Sequence, residues 1–278
     1  MKTRLDPARR TLILASTLVV VLLSVLPAVW LVLTSLRPQN EIYTPTFMLL
    51  TPHTSLSNYR ELLTTTPFGI YIVNSVLVCA LSTIGAVLVS LLAAYSFSRR
   101  QFPGRRLLLL LVVFSQLFPY VILITPIYVI FHLMGLVDTR AGLILAYVAI
   151  TIPFCTYLLL GYLDTVPKEL DEAAIIDGAS TMRIVFGVIF PTVWPGLAAT
   201  TIYAFANTWN EYVIALTLIS RDDLKTIPLG LAGFYGQYTT RWDLVMTASV
   251  FAVVPTLLIF FFLQRYLVSG LVAGSVKQ

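Results

Sequence analysis

Long apolar runs separated by short polar connectors dominate the chain from Thr11 onward. A helix needs roughly 20 mostly apolar residues to cross a hydrocarbon layer about 30 Å thick. Six stretches meet that requirement: Thr11 to Leu36, Tyr71 to Phe97, Leu107 to Met134, Gly142 to Leu163, Ile184 to Ile219 and Val245 to Val268. The pattern predicts an all-α integral membrane protein with six transmembrane helices. The fifth stretch is too long for one simple span. Its first turns are expected at the membrane surface, with Pro191 and Pro195 marking a change of direction. In the third, Pro119 and Pro126, with Gly135 near the end, would allow a bend, either for gating or as static packing.

Composition agrees with the pattern. Apolar residues make up 58% of the 278 and charged residues only 11%, against about 25% charged in soluble domains. Lys2, Arg4, Arg9 and Arg10 precede the first run as they would in a secretory signal. That run is about twice as long as a signal core and lacks a small-residue cleavage site, so a retained helix is expected.

Charge then sets orientation. With a cytoplasmic N-terminus, twelve of the 18 Lys and Arg fall inside and six outside. The outside set is Arg37, Arg60, Arg140, Arg221, Lys225 and Arg241. This asymmetry predicts both termini in the cytoplasm. The net charge of +5 therefore reflects topology, and no basic cluster with interleaved aromatics points to nucleic acid.

The chemistry-bearing residues are sparse. Cys79 and Cys155 sit inside apolar runs, as small buried hydrophobes do, and His53 and His132 show no metal-ligand spacing. No phosphate loop, dinucleotide fingerprint or nucleophile elbow is present. The sequence thus predicts no catalytic residue, metal or cofactor in this chain. A membrane-embedded enzyme would need clustered groups, and the outside loops offer only scattered ones such as Asp222, Asp223 and Asp243. A transporter that runs without ATP is a further class compatible with the apolar pattern.

One segment departs from the rest. Asp164, Glu169, Asp171, Glu172 and Asp177 are five of the chain's thirteen acids, set against Lys168 on the cytoplasmic side. Pro167 suits a first helical turn, and the acids suit its positive end. Leu170, Ala173, Ala174 and Asp177 share a face with Glu172 on its edge. Gly178 is suited to a left-handed helix stop, and Ser180 to capping the next helix. The segment reads as helix, bend, helix at the surface. An amphipathic helix lying on lipid, or a plain loop, is one reading. The negative inner leaflet would repel so acidic a helix, whereas a cationic protein groove would attract it.

Glu172-Ala173-Ala174, three residues, Gly178, nine residues, then Val188-Ile189-Phe190-Pro191 resembles the EAA motif of ABC importer permeases. Val and Phe replace the family's Ile and Leu. The stretches "AAYSFSRRQFPGRR", "TPIYVIFHLMGLVDTRAGLILAY", "TWNEYVIALTLI" and "RYLVSGLVAGSVKQ" resemble the carbohydrate-uptake branch, specifically the smaller permease of maltose-type importers. The resemblance implies a type I importer permease fold forming a single transmembrane permease domain over 1–278, in the cytoplasmic (inner) membrane of a prokaryote. It implies coupling helices at about 167–185, with Glu172, Ala173, Ala174, Asp177, Gly178 and Pro191 contacting an ATPase. It also implies a C-terminal tail at 270–278, with Gly270, Gly274 and Lys277, reaching that ATPase. The implied partners are a second homologous permease, two ABC ATPase subunits that hold ATP and Mg, an extracytoplasmic solute-binding protein and a sugar-like solute. A phosphorylated polyol or another small solute is the alternative cargo.

Polar groups at membrane depth complete the picture. Asn207, Asn210 and Glu211 lie in the fifth stretch, and Asn74 and Gln116 in others. An acidic group there tends to face a cavity or a partner. Glu211 reads either as a pathway or subunit contact, or as a structural hydrogen bond near a wet interface. Tyr203, Phe205, Trp209 and Tyr212 could stack on sugar rings or serve as packing. The resemblance places the sugar mainly on the other permease.

Overall fold

The computed structural model describes residues 7–43, 51–235 and 240–275, with side chains from Ala8 to Gln264. In chain order the main helices are α1 (Pro7–Ser35), α2 (Ser57–Thr65), α3 (Phe68–Arg99), α4 (Arg105–Ser115), α5 (Ile124–Leu133), α6 (Arg140–Leu163), α7 (Glu169–Ile176), α8 (Thr181–Thr192), α9 (Trp194–Trp209), α10 (Val213–Leu218), α11 (Ile227–Ala232) and α12 (Trp242–Ser275). Four of these are long and apolar enough to cross a membrane singly: α1, α3, α6 and α12. Two bent pairs raise the number of spans to six if each pair counts once.

Both bends fall at prolines. The third stretch turns by 102° between Ser115 and Tyr120, where Pro119 is extended with ψ 113° and keeps Phe118 out of helical geometry. Pro126 lies in the first turn of α5, where its missing N–H has no partner to lose. Gly135 ends α5 with φ 68°, and Leu136 N donates to Phe131 O at 2.8 Å, which closes the helix end. The fifth stretch turns by 86° at Val193. Pro191 sits just before that break and Pro195 in the first turn of α9. A π-helical turn, Val185–Ile189, widens α8 ahead of it.

Contrary to the single run to Ile219 expected from apolarity, α9 stops at Trp209 and a separate α10 begins at Val213. Glu211 makes the restart possible. Its Oε1 accepts from Ile214 N at 2.8 Å and its Oε2 from Ala215 N at 3.1 Å. These are amide groups that a new helix otherwise leaves unpaired.

The chain forms two compact units. One comprises residues 1–69 and 231–253. Within it Asn58 caps the end of α1, donating to Ser35 O at 2.9 Å and Arg37 O at 2.7 Å. Phe68 packs its ring against Phe234 and Phe251. Arg241 bridges Asp243 and Glu61, each at 2.8 Å; the hydrogen bond it donates to Asp243 leads the causes that raise its pKa.

The other unit comprises residues 70–230 and 254–278. One core cluster joins α3, α6, α8 and α9 through Leu91, Leu159, Leu163, Ile189 and Leu197, and a second joins α3, α6 and α10 through Val78, Tyr147, Ile214 and Leu218. Gly196 lets α9 close on α6, since a Cβ there would collide with the Tyr162 ring. Cys79 and Cys155 are free and buried, as small hydrophobes of the core. Asn74 is structural: its amide donates to Asp223 O and Lys225 O, both at 2.9 Å, and accepts from Arg140 Nε at 2.9 Å.

Candidate functional site: an acidic surface helix and a polar cavity

The acidic segment folds as helix, bend, helix. Glu169, Asp171 and Glu172 occupy the first turn of α7, against the positive end of the helix dipole. The helix begins two residues after Pro167, with Lys168 at its cap. Gly178 has φ 77°. Gly178 N donates to Ile175 O and Ala179 N to Ala174 O, both at 2.9 Å, the paired bonds of a left-handed helix stop. Ser180 then caps α8, its Oγ accepting from Arg183 N at 3.4 Å.

The rotation of α7 differs from the sequence reading. Only Asp171 and Ala174 are buried; Glu172, Ala173 and Asp177 face solvent. Leu170, Ile175 and Ile176 are exposed as well, Ile176 by 86%. Arg99 at the end of α3 fixes this rotation. Its Nε donates to Asp171 Oδ2 at 2.9 Å and its Nη2 to Val166 O at 2.9 Å. Both side chains of the pair are more than nine-tenths buried. Beside it, Ser98 Oγ donates to Asp164 Oδ1 at 2.6 Å. Asp171 therefore belongs to an internal ion pair and not to the outward acidic surface. That surface is left to Glu169, Glu172 and Asp177, interleaved with exposed apolar side chains. The Arg99 partnership was hidden in the sequence, because the two residues lie 72 positions apart.

Pro191 is exposed at the far end of α8, away from α7 along the chain. Gly270 and Gly274 fall within α12, which continues to Ser275. Lys277 lies outside the described residues.

Asn207, Asn210 and Glu211 come together at a cavity of about 540 Å³ in the same unit. It lies between the break in the third stretch, which contributes Gln116 and Tyr120, and the end of α9. Tyr203 and Asn207 share one face of α9, and Asn207 Nδ2 donates to Tyr203 Oη at 3.2 Å. The Phe154 ring lies 4.1 Å from that of Tyr203, centroid to centroid. Tyr212 also lines the cavity. Phe205 and Trp209, by contrast, are buried and stacked on each other at 5.3 Å. The four aromatics singled out in the sequence thus divide into two at the cavity and two in packing.

Outside the spans, Arg221 and Asp223 pair at 2.7 Å, and that hydrogen bond holds the Asp223 carboxyl below the usual range.

Residues 85–272 match the family described as binding-protein-dependent transport system inner membrane component. The chain is 33% identical to the sulfoquinovosyl glycerol transport system permease protein of Agrobacterium fabrum, over 90% of this chain and 88% of that one. It is also 33% identical to the trehalose/maltose transport system permease protein of Thermococcus litoralis, over 99% of both. A diacetylchitobiose uptake system permease protein of Streptomyces coelicolor is 34% identical over 96% of this chain and 85% of that one. Among solved structures, a chain of a bacterial ABC transporter that imports alginate superposes with a TM-score of 0.81, covering 96% of this chain and 100% of the other at 18% identity. That likeness is one of fold, the type I importer permease arrangement. With the family model spanning more than half its length, the chain belongs to the inner-membrane permease components of binding-protein-dependent ABC transport systems.

Proposed function

We propose that this chain is one permease subunit of an ATP-driven importer for a sugar-like solute. It works beside a second, homologous permease in the cytoplasmic membrane of a prokaryote. Two ATPase subunits hold ATP and Mg on the cytoplasmic side, and an extracytoplasmic binding protein delivers the solute. The observation that carries the coupling role is α7: an acidic helix with exposed Ile175 and Ile176, held at a fixed rotation by a buried ion pair. Apolar side chains so exposed on a polar surface mark a protein contact. Closure of the ATPase dimer would pull on Glu172, Ala173, Ala174 and Asp177, with Gly178 and Pro191 shaping the segment. The Arg99 link passes that force to the end of α3. The sugar class follows the relatives named above.

The test is uptake and ATPase copurification from membranes. Glu172→Lys reverses charge on the exposed face, and Gly178→Asp puts a side chain where φ is 77°. Each is expected to reduce uptake at least tenfold and to weaken ATPase recovery while the protein still inserts. Full transport in both variants would refute the coupling role.

A further inference from the structure

We infer that the cavity between the broken third stretch and the end of α9 contacts the transported solute directly, and that it takes an uncharged polyhydroxylated solute rather than an anionic one. The inference rests on the importer reading and extends it to a site on this chain.

Interrupted helices at membrane depth are tolerated where they line a water-filled space, because the freed backbone groups can be solvated there. Two interruptions meet at this cavity, and its volume of about 540 Å³ lies within the range of small-molecule sites. Its polar lining is made of amides. Asn207 and Asn210 each commit the amide nitrogen within their own helix, to Tyr203 Oη and to Ala206 O, and Gln116 sits opposite on the third stretch. Fixed amides of this kind exchange hydrogen bonds with hydroxyl groups, which both donate and accept. Tyr120 and Tyr203 also line it, and aromatic rings offer the apolar surface that C–H groups of a sugar ring require. Phe154 packs Tyr203 in place.

Charge decides the class. Among the described residues, no Lys, Arg or His lines the cavity. The one carboxyl group among its lining residues, Glu211, has both oxygens engaged by backbone amides. A sulfonate, phosphate or uronate leaving water for this space would meet no cationic side chain to replace its hydration. A neutral sugar would lose only hydroxyl hydration, which the amides replace. Sequence similarity does not make this choice. The relatives whose names carry a sulfonated glycoside and a neutral disaccharide are equally identical to this chain, at 33%.

The experiment uses the complete transporter, both permeases with the ATPase, purified in detergent and reconstituted with its binding protein. Calorimetric titration of the complex without binding protein should show maltose, trehalose or diacetylchitobiose binding at least tenfold more tightly than glucose 6-phosphate or sulfoquinovosyl glycerol. Asn207→Ala with Asn210→Ala should reduce the solute taken up per ATP hydrolysed at least tenfold. Asn207→Arg should shift the preference toward the anionic probes. Tighter anionic binding by the unaltered complex, binding of neither class, or an unchanged ratio of uptake to ATP in the double variant would overturn the inference. Absence of ATP-dependent uptake of any solute by the unaltered complex would instead overturn the importer reading.

Discussion

Glu211 shows how much one side chain can decide at the residue scale. It is 6% exposed in a strongly apolar stretch, where an ionised group is expensive unless bonded. Here two backbone amides bond it, and they are the ones α10 would otherwise leave open. The structural alternative raised by the sequence therefore describes its bonding, while its position also borders the cavity. A helix cap is worth about 1 kcal/mol, with a range of roughly 0.5–2. Glu211→Ala should accordingly lower the thermal midpoint of the purified complex. Glu211→Gln, which keeps one acceptor, should lower it less. Equal midpoints for Ala and the unaltered residue would show that the cap contributes nothing.

At the scale of elements, the ion pair between Arg99 and Asp171 joins α3 to α7 and fixes which face of α7 points outward. Removing one partner of a buried pair strands the other charge, at a typical cost of 3–5 kcal/mol. Replacing both with apolar residues of similar volume often costs little. Arg99→Leu and Asp171→Leu should each destabilise the protein and release α7, seen as a lower melting temperature and lost ATPase recovery. The double variant should melt close to the unaltered protein yet transport poorly, because α7 loses the bonds that orient it. A double variant as unstable as the sum of the two singles would deny the pairing. The element boundaries also show what a sequence signals. Pro119, Pro191 and Pro195 announce the two sharp bends through their own geometry. The break at Asn210 to Tyr212 contains neither Pro nor Gly, so apolar patterning ran straight through it.

At the scale of the whole molecule, α1 is the least enclosed of the four long apolar helices. None of its most apolar window is buried by the described residues, as suits a surface that meets lipid or another protein. From the positive-inside bias we propose that α7 and both termini face the cytoplasm. Cys79 and Cys155 are buried, which makes an added surface thiol selectively reactive. Ile176→Cys should react with a membrane-impermeant maleimide in inverted vesicles and not in intact right-side-out ones. The reverse result would invert the topology and remove α7 from the ATPase side.

The one-dimensional pattern was sufficient to determine the helical membrane class, six apolar stretches, the proline bends and the helix, glycine stop and cap at 169–180. These follow from local chemistry: transfer of apolar side chains into lipid, the missing N–H of proline, and the backbone freedom of glycine. Only the tertiary structure decided that Asp171 turns inward to Arg99, that Glu211 closes a helix end, and that two aromatics of four reach a cavity while two pack. Each of these depends on a partner distant in sequence or on the rotation of a helix about its axis. Burial and hydrogen bonding across elements set that rotation, and no local spacing encodes it.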